Sequence, residues 1–461
     1  MDILQWIDDH KEEMLEDLKT LIEIDSVEGT PQEGAPFGTG PRDALLAFLA
    51  IGDRDGFTTD NVDNYAGEIE MGEGEETIGI LAHVDVVPAG SGWETNPFEL
   101  VRDGEYLQGR GTQDDKGPGI AAYYAMRALK ECNVPIKRKL RMILGTNEET
   151  NWGGINYYKE KREMPDFGFT PDAHFPVIFG EKGITTGKLR IPFDWKSSKV
   201  LSVKGGNAPN MVADGCTLEL EKGILEMEAL DALRKEGIDV TVEQDHVILF
   251  AKGKSAHGST PEAGVNAISI MMEQIAKYLG EDPFASFVDF YNEKIGFFMH
   301  GEGLGVDYED PISGKLNFNV GMIQTTDEGI TLVLNMRFPL EGVDAEMIKK
   351  QIEKSSQDVG GEFIIQGGET PLFIDPESTL VRLLMEAYQE QTKDYDAKPI
   401  TIGGGTYAKA MKNCVGYGAM FQHTEDRMHQ KNERIPLSEL MDAAKIYALA
   451  LKKLATEEKV I

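Results

Sequence analysis

Two short runs, Leu81-Ala-His83-Val-Asp85 and Leu144-Gly-Thr-Asn147-Glu148-Glu149, share a pattern that chemistry can use: an apolar stretch of strand texture stops at ionisable side chains. In open α/β sheets, ligands bind beyond the carboxyl ends of strands. His83 and Asp85 lie two apart on an extended segment and so share a face, where the carboxylate can take the second ring N–H of a metal-bound imidazole. In the Glu148–Glu149 pair, one carboxylate can bind a metal while the other acts as general base on a water. A third run, Gly109-Arg-Gly-Thr-Gln-Asp114-Asp115-Lys116-Gly117, sets vicinal acids between glycines just ahead of a helix. Such a pair is costly without a cation; Lys116 is expected to supply part of that charge, and one carboxylate to bridge two metals. Asp172 and His429 stand at two further boundaries between apolar runs and turns.

Taken singly, each has an ordinary explanation: a helix cap for Asp114, an exposed pair for Glu148, a hydrogen-bonded strand end for His83. Taken together, His83, Asp114, Glu149, Asp172 and His429 make two imidazoles and three carboxylates. That set suits Zn, Mn or Co rather than an Fe–S or Cu(I) site. With one shared carboxylate it describes a pair of ions roughly 3.5–4 Å apart.

The elements that must carry these residues follow from periodicity. Helical spacing covers residues 3–24, and a second helix opens at Pro41. Strands are expected at 65–71, 77–82 and 139–145, with a helix at 117–130. This order implies a parallel or mixed sheet covered by helices. From about residue 186 the texture changes to strands near 187–191, 217–221, 247–251 and 331–338, with one helix at 266–279. After 380 the first texture returns: a helix at 380–391, a glycine turn at 403–405 before another helix, a strand at 415–421 and a last helix from Leu437. The expected fold is α/β, a catalytic domain (1–185 and 380–461) interrupted by an α+β lid (186–379).

The chain has 461 residues, with 46 Lys+Arg against 79 Asp+Glu and a formal charge of −33. That balance argues against nucleic acid and against an anionic membrane surface. No apolar run reaches the roughly 18 residues of a spanning helix. The first residues lack the basic start and apolar block of a signal peptide. Three scattered cysteines (Cys132, Cys216, Cys414) argue against a disulfide framework. A cytoplasmic protein is the expectation.

The segments LAHVDVVPAG, GRGTQDDKGP, LGTNEETNWGG, TPDAHFP, GKSAHGSTPEAGVNA, IGGGTYAKA and MHQKNE run in order from residue 81 to residue 433. Together they resemble the co-catalytic metallopeptidases that include aminoacylases, carboxypeptidase G, carnosinases and bacterial dipeptidases. The nearest likeness is to the long-lid, peptidase V-type dipeptidases. The resemblance implies two divalent ions held by His83, Asp114, Glu149, Asp172 and His429, with Asp114 as the bridge. It makes Asp85 the orienting partner of His83 and Glu148 the general base. From the lid, it makes His257 a donor to the oxyanion, and Asn210 and Arg337 substrate-holding residues.

Backbone N–H groups at Gly404 and Gly405, at a helix start, would take a substrate carboxylate. Relatives often carry Arg where this chain has Lys409, a point charge rather than a planar fork.

The expected activity is hydrolysis of dipeptides with a free N-terminal amine, by attack of a water held between the metals. Deacylation of N-acyl amino acids or N-succinyl-diaminopimelate is the alternative on the same site. A catalytically silent metal- or peptide-binding protein is the alternative of another class, and the intact Glu148, Asp114 and His257 argue against it. A Cys- or Ser-dependent hydrolase lacks its nucleophile elbow and Cys–His signature. A long lid carrying its own His257 implies a monomer.

Overall fold

The computed structural model describes residues 2–461. The chain divides into two compact units, one of Met1–Gly180, Phe373–Ile400 and Thr406–Ile461, the other of Glu181–Leu372 and Thr401–Gly405. The glycine turn at 403–405, expected with the catalytic part, thus groups with the second unit.

The first unit is built on a mixed sheet. Thr58–Val62 and Ala66–Met71 pair antiparallel, and Ala66–Met71 pairs antiparallel with Lys139–Gly145. Thr77–His83 then runs parallel to Lys139–Gly145 on one side and to Phe167–Thr170 on the other. Ile78, Ile80, Leu81 and Ala82 are all 0% exposed, so this central strand is buried on both faces, as parallel strands are. These three strands point the same way, so the loops after His83, Gly145 and Thr170 open at one sheet edge. The helix Lys116–Glu131 is buried almost all round and packs against Leu437–Thr456, Ile3–Asp9 and Lys11–Ile22. This buried helix follows directly on the Asp114–Asp115 turn and so fixes it.

Two expected elements are divided. The first helix breaks at His10 (φ −103°, ψ 14°), whose ring stacks on Trp6 and bonds the Trp6 carbonyl at 2.7 Å. The strand expected at 415–421 becomes Cys414–Gly416 and Ala419–Met420, the second pairing with Ala173–His174. Gly418 makes that change of partner. Its φ is +78°, and a Cβ there would lie 2.3 Å from the Phe175 ring.

The second unit is an α+β domain. Its main sheet has eight strands in the order Asp239–Val242, His246–Lys252, Gly215–Glu221, Val200–Gly205, Asn317–Thr326, Gly329–Phe338, Gly183–Pro192, Glu362–Glu369, and every neighbouring pair is antiparallel. Leu218, Leu249, Ile268, Met272, Leu332 and Phe363 join one buried core beneath this sheet. Among the described residues, no helix is long and apolar enough to cross a membrane.

Candidate metal centre

All five expected ligands come together in the first unit. His83 ends its strand with its side chain fully buried, and its Nε2 lies 3.0 Å from Asp114 Oδ1 and 3.7 Å from Asp172 Oδ2. His429 reaches in from a loop, with Nε2 2.9 Å from Asp114 Oδ2 and 3.0 Å from Glu149 Oε2. Asp114 therefore gives one oxygen to each histidine. Asp172 stands on the His83 side and Glu149 on the His429 side. Ligand atoms of His83, Asp114 and Glu149 lie within 4.8 Å of one another, as do those of His83, Glu148 and Asp172.

The cluster calls for positive charge. Burial raises the Glu149 carboxyl to about 7, and Asp114 adds to the rise. Burial also lifts Glu148 well above the usual carboxylate range; Asp172, Glu149 and Asp114 reinforce it while His83 opposes. Burial disfavours a charged His83, yet Asp114, Asp172 and Asp85 outweigh it and raise its pKa. His429 is raised in the same way by Asp114 and Glu149, although its side chain is 55% exposed. Glu149 Oε1 and Asp115 Oδ1 are buried without a hydrogen-bond donor, and buried polar atoms left so are exceptions that call for a partner. A divalent cation would offset the raised carboxyl groups and give Glu149 Oε1 a partner, and the donor set matches one that binds such ions.

Several neighbours hold this geometry in ways that the spacing of residues did not show. Asp85 does more than orient His83, whose Nδ1 is 3.0 Å from the Asp85 backbone carbonyl and 3.4 Å from its Oδ1. Its two carboxylate oxygens also accept from the backbone N–H of Glu148 and of Glu149, 3.1 Å each. Asp115 Oδ2 accepts from the His83 backbone N–H at 3.1 Å. Glu433 is fully buried and accepts from the N–H of Gly111, Gln113 and Asp114 and from Arg110 Nη1. Its only sequence signal was its place in the MHQKNE segment.

Lys116 corrects an expectation. Its ammonium donates to the carbonyls of Leu21 and Ile24, 2.9 Å each, rather than to the acids beside it, and burial lowers its pKa to about 7. The glycine turn brings another correction: Thr406 leads into a four-residue 3₁₀ turn, Tyr407–Ala410, because the chain turns extended again at Met411. The α-helix N-terminus that was to help Gly404 and Gly405 hold a carboxylate is not there.

Glu433→Ala strands a buried guanidinium and removes the acceptor of three amides. Loss of one partner from such a pair costs about 3–5 kcal/mol. The expected result is a lower denaturant midpoint for the metal-free protein; an unchanged midpoint would remove Glu433 from this role.

The remaining expected residues gather in the second unit. His257 Nδ1 is 2.6 Å from Ser259 Oγ and accepts from the Ser259 backbone N–H at 3.3 Å, which places the ring proton on Nε2. The Gly258 N–H bonds the Asn210 carbonyl at 2.7 Å, so the Asn210 and His257 turns are paired. Arg337 is 5% exposed, and burial lowers its pKa to about 10 against the pull of Glu369. Its Nε donates to Asn335 Oδ1 at 3.3 Å. A Cβ on Gly403 would meet Ser259 at 3.3 Å, and one on Gly405 would meet the Glu369 carboxylate at 2.4 Å, so the glycine turn lines the same cluster.

The model for peptidase family M20/M25/M40 matches residues 79–453. Two proteins of Staphylococcus aureus, from strains bovine RF122 / ET3-1 and USA300, bear the name "Putative dipeptidase". Each is 38% identical over 471 residues, covering 98% of this chain and 99% of the relative. Among solved structures, human carnosine dipeptidase 1 aligns with a TM-score of 0.61 at 17% identity, over 99% of this chain and 98% of that one. The dipeptidase Dug1p of Saccharomyces cerevisiae gives 0.60 at 14%, over 99% and 98%. Aminoacylhistidine dipeptidase of Vibrio alginolyticus gives 0.55 at 13%, over 97% of each chain. At these identities the structural likeness is one of fold.

Proposed function

This chain belongs to peptidase family M20/M25/M40 and is a metallopeptidase, and from that premise we propose that it hydrolyses dipeptides with a free N-terminal amine, using Glu148 as general base. The observation that carries the reading is Asp114, whose two oxygens are divided between His83 and His429 at 3.0 and 2.9 Å. That division fits one ion beside His83 and Asp172 and a second beside Glu149 and His429, with Asp114 shared. The full-length likeness to relatives named as dipeptidases supports the substrate class. We read the second unit as a lid inserted into the catalytic domain, the ions as Zn or Mn with Co also accepted, and the protein as a cytoplasmic monomer.

Two such ions would polarise the scissile carbonyl and make a neutral-pH nucleophile of water. The chain's own residues do the rest. The backbone carbonyl of Asp85 accepts from the His83 Nδ1–H at 3.0 Å, with the Asp85 carboxylate 3.4 Å away, which leaves the Nε2 lone pair facing the cluster. Asp85 also fixes the two amides that carry Glu148 and Glu149. Glu148 stands at the His83–Asp172 edge. It accepts a proton from the attacking water and passes it to the amine nitrogen as the C–N bond breaks, so the carboxylate ends as it began. The acidic surroundings favour a substrate ammonium. In the second unit, His257 offers an Nε2–H to a developing oxyanion, Arg337 a fork to a carboxylate, and Asn210 a further amide to hold the substrate.

His257→Ala is expected to lower kcat by about 10²- to 10³-fold, the usual effect of losing one oxyanion donor, with metal content unchanged; wild-type kcat would remove His257 from the reaction. The substrate class is tested on metal-stripped protein with Mn or Zn returned, by amino acid release from a dipeptide and from its N-acetylated twin. Cleavage of the free dipeptide alone is expected. Cleavage of the acetylated twin alone would make the protein a deacylase on the same metal site.

A further inference from the structure

The loop that carries Glu148 closes on itself. Asn147 is fully buried; its carbonyl accepts from the Trp152 N–H and its side-chain oxygen from the Gly153 N–H, 3.0 Å each. The five residues between Asn147 and Gly153 are thereby looped back, and the Trp152 indole N–H meets Glu148 Oε1 at 3.2 Å. Trp152 holds a left-handed backbone (φ 59°, ψ 24°) just before the helix Gly153–Lys161. Gly or Asn takes that conformation at little cost, and a bulky aromatic does not. An unfavourable conformation that persists is over-determined by its surroundings.

Those surroundings are aromatic. The Trp152 ring stands edge-on to Tyr407, centroids 5.4 Å apart, and Tyr407 stands edge-on to His83 at 6.0 Å. Tyr407 is fully buried and locked in turn by Gly145, where a Cβ would lie 2.2 Å from the phenol oxygen. The indole is therefore braced against the same strand end that delivers the ligand His83. Asp114 has a histidine on each of its two oxygens; Glu148 lacks that double grip, and a glutamate has three side-chain torsions to fix.

We propose that Trp152 is the positioning residue of the general base: its indole N–H, braced by Tyr407, holds the Glu148 carboxylate in one orientation. The inference rests on the reading of Glu148 as base. A half-buried tryptophan that merely packs is the competing account, and the two separate in kinetics. Trp152→Phe keeps an aromatic ring against Tyr407 and removes the donor. Should it fail to fold, the benzothiophene isostere of tryptophan at position 152 removes the N–H without changing shape.

The expected result on metal-loaded enzyme is a kcat lower by about 10- to 100-fold, the range for partners that orient an active-site group, with KM and metal content unchanged. In a Glu148→Gln background the same replacement is expected to cause no further loss, because it acts through Glu148. Equal losses in both backgrounds would reduce Trp152 to packing and overturn the proposal. Wild-type kcat in Trp152→Phe, with Glu148→Gln inactive, would overturn it too and leave the base in place. Retained activity in Glu148→Gln would instead sink the reading of Glu148 itself.

Discussion

Glu148→Gln is expected to bind two metal ions per chain, the number expected of the native protein, and to turn over about 10²- to 10⁴-fold more slowly, the range that a positioned acid–base group supplies. The geometry separates the two effects. Asp114, Glu149, Asp172 and both histidines make the close contacts of the cluster, while Glu148 reaches its edge with one oxygen held by Trp152. An amide of the same size keeps the Trp152 contact as an acceptor but cannot take a proton from water. Burial and the neighbouring acids raise the Glu148 pKa, which suits a group that must hold a proton briefly before the amine leaves. Metal analysis alongside kcat checks the pair of claims. Loss of metal in this variant would make Glu148 a ligand, and retained kcat would remove it from proton transfer.

Asp114→Ala produces a different failure. Asp114 is 6% exposed and contacts both histidines, so its removal is expected to weaken both proposed ion sites at once. Loss of an outer partner of a metal ligand typically costs about 10- to 100-fold in affinity, and loss of a shared ligand exceeds that. The expected readouts are metal content near zero after dialysis and hydrolysis at background. Linkage supplies a third: an ion present at 100 times its Kd stabilises the native protein by about 2.7 kcal/mol. Added Mn or Zn therefore raises the melting midpoint of the stripped native protein and leaves that of Asp114→Ala where it was. Full metal content in the variant would contradict the shared-carboxylate geometry.

That His83, Glu149 and Asp172 would meet could be read from the chain because each ends or follows an apolar strand, and strand ends of one sheet converge at one edge. His83, Glu149 and Asp172 come after three strands that lie side by side. The supporting residues could not be read in this way. Glu433 meets Gln113 across 320 residues of sequence and works by accepting backbone N–H groups, a role that leaves no spacing to detect. Asp115 was given no role of its own by the sequence, yet its carboxylate accepts from the backbone N–H of His83. Lys116 looked like the counter-ion of the Asp114–Asp115 pair. The fold instead turns it toward two carbonyls at the end of the helix Lys11–Ile22 and just beyond it, which need a donor there. The break at His10 is marked by a local contact, the Trp6 ring stacked on it, and that at Gly418 by a left-handed glycine packed against the Phe175 ring. The glycine turn at 403–405 promised an anion-binding helix start, and the four residues after Thr406 are too few to make one.

The most direct test of the whole account is to titrate metal-stripped protein with Mn or Zn while following both bound metal and hydrolysis of a free-amine dipeptide. The account predicts that binding saturates at two ions per chain and that full activity appears only as the second site fills. Saturation at one ion, or dipeptide hydrolysis that persists in the stripped protein, would contradict it.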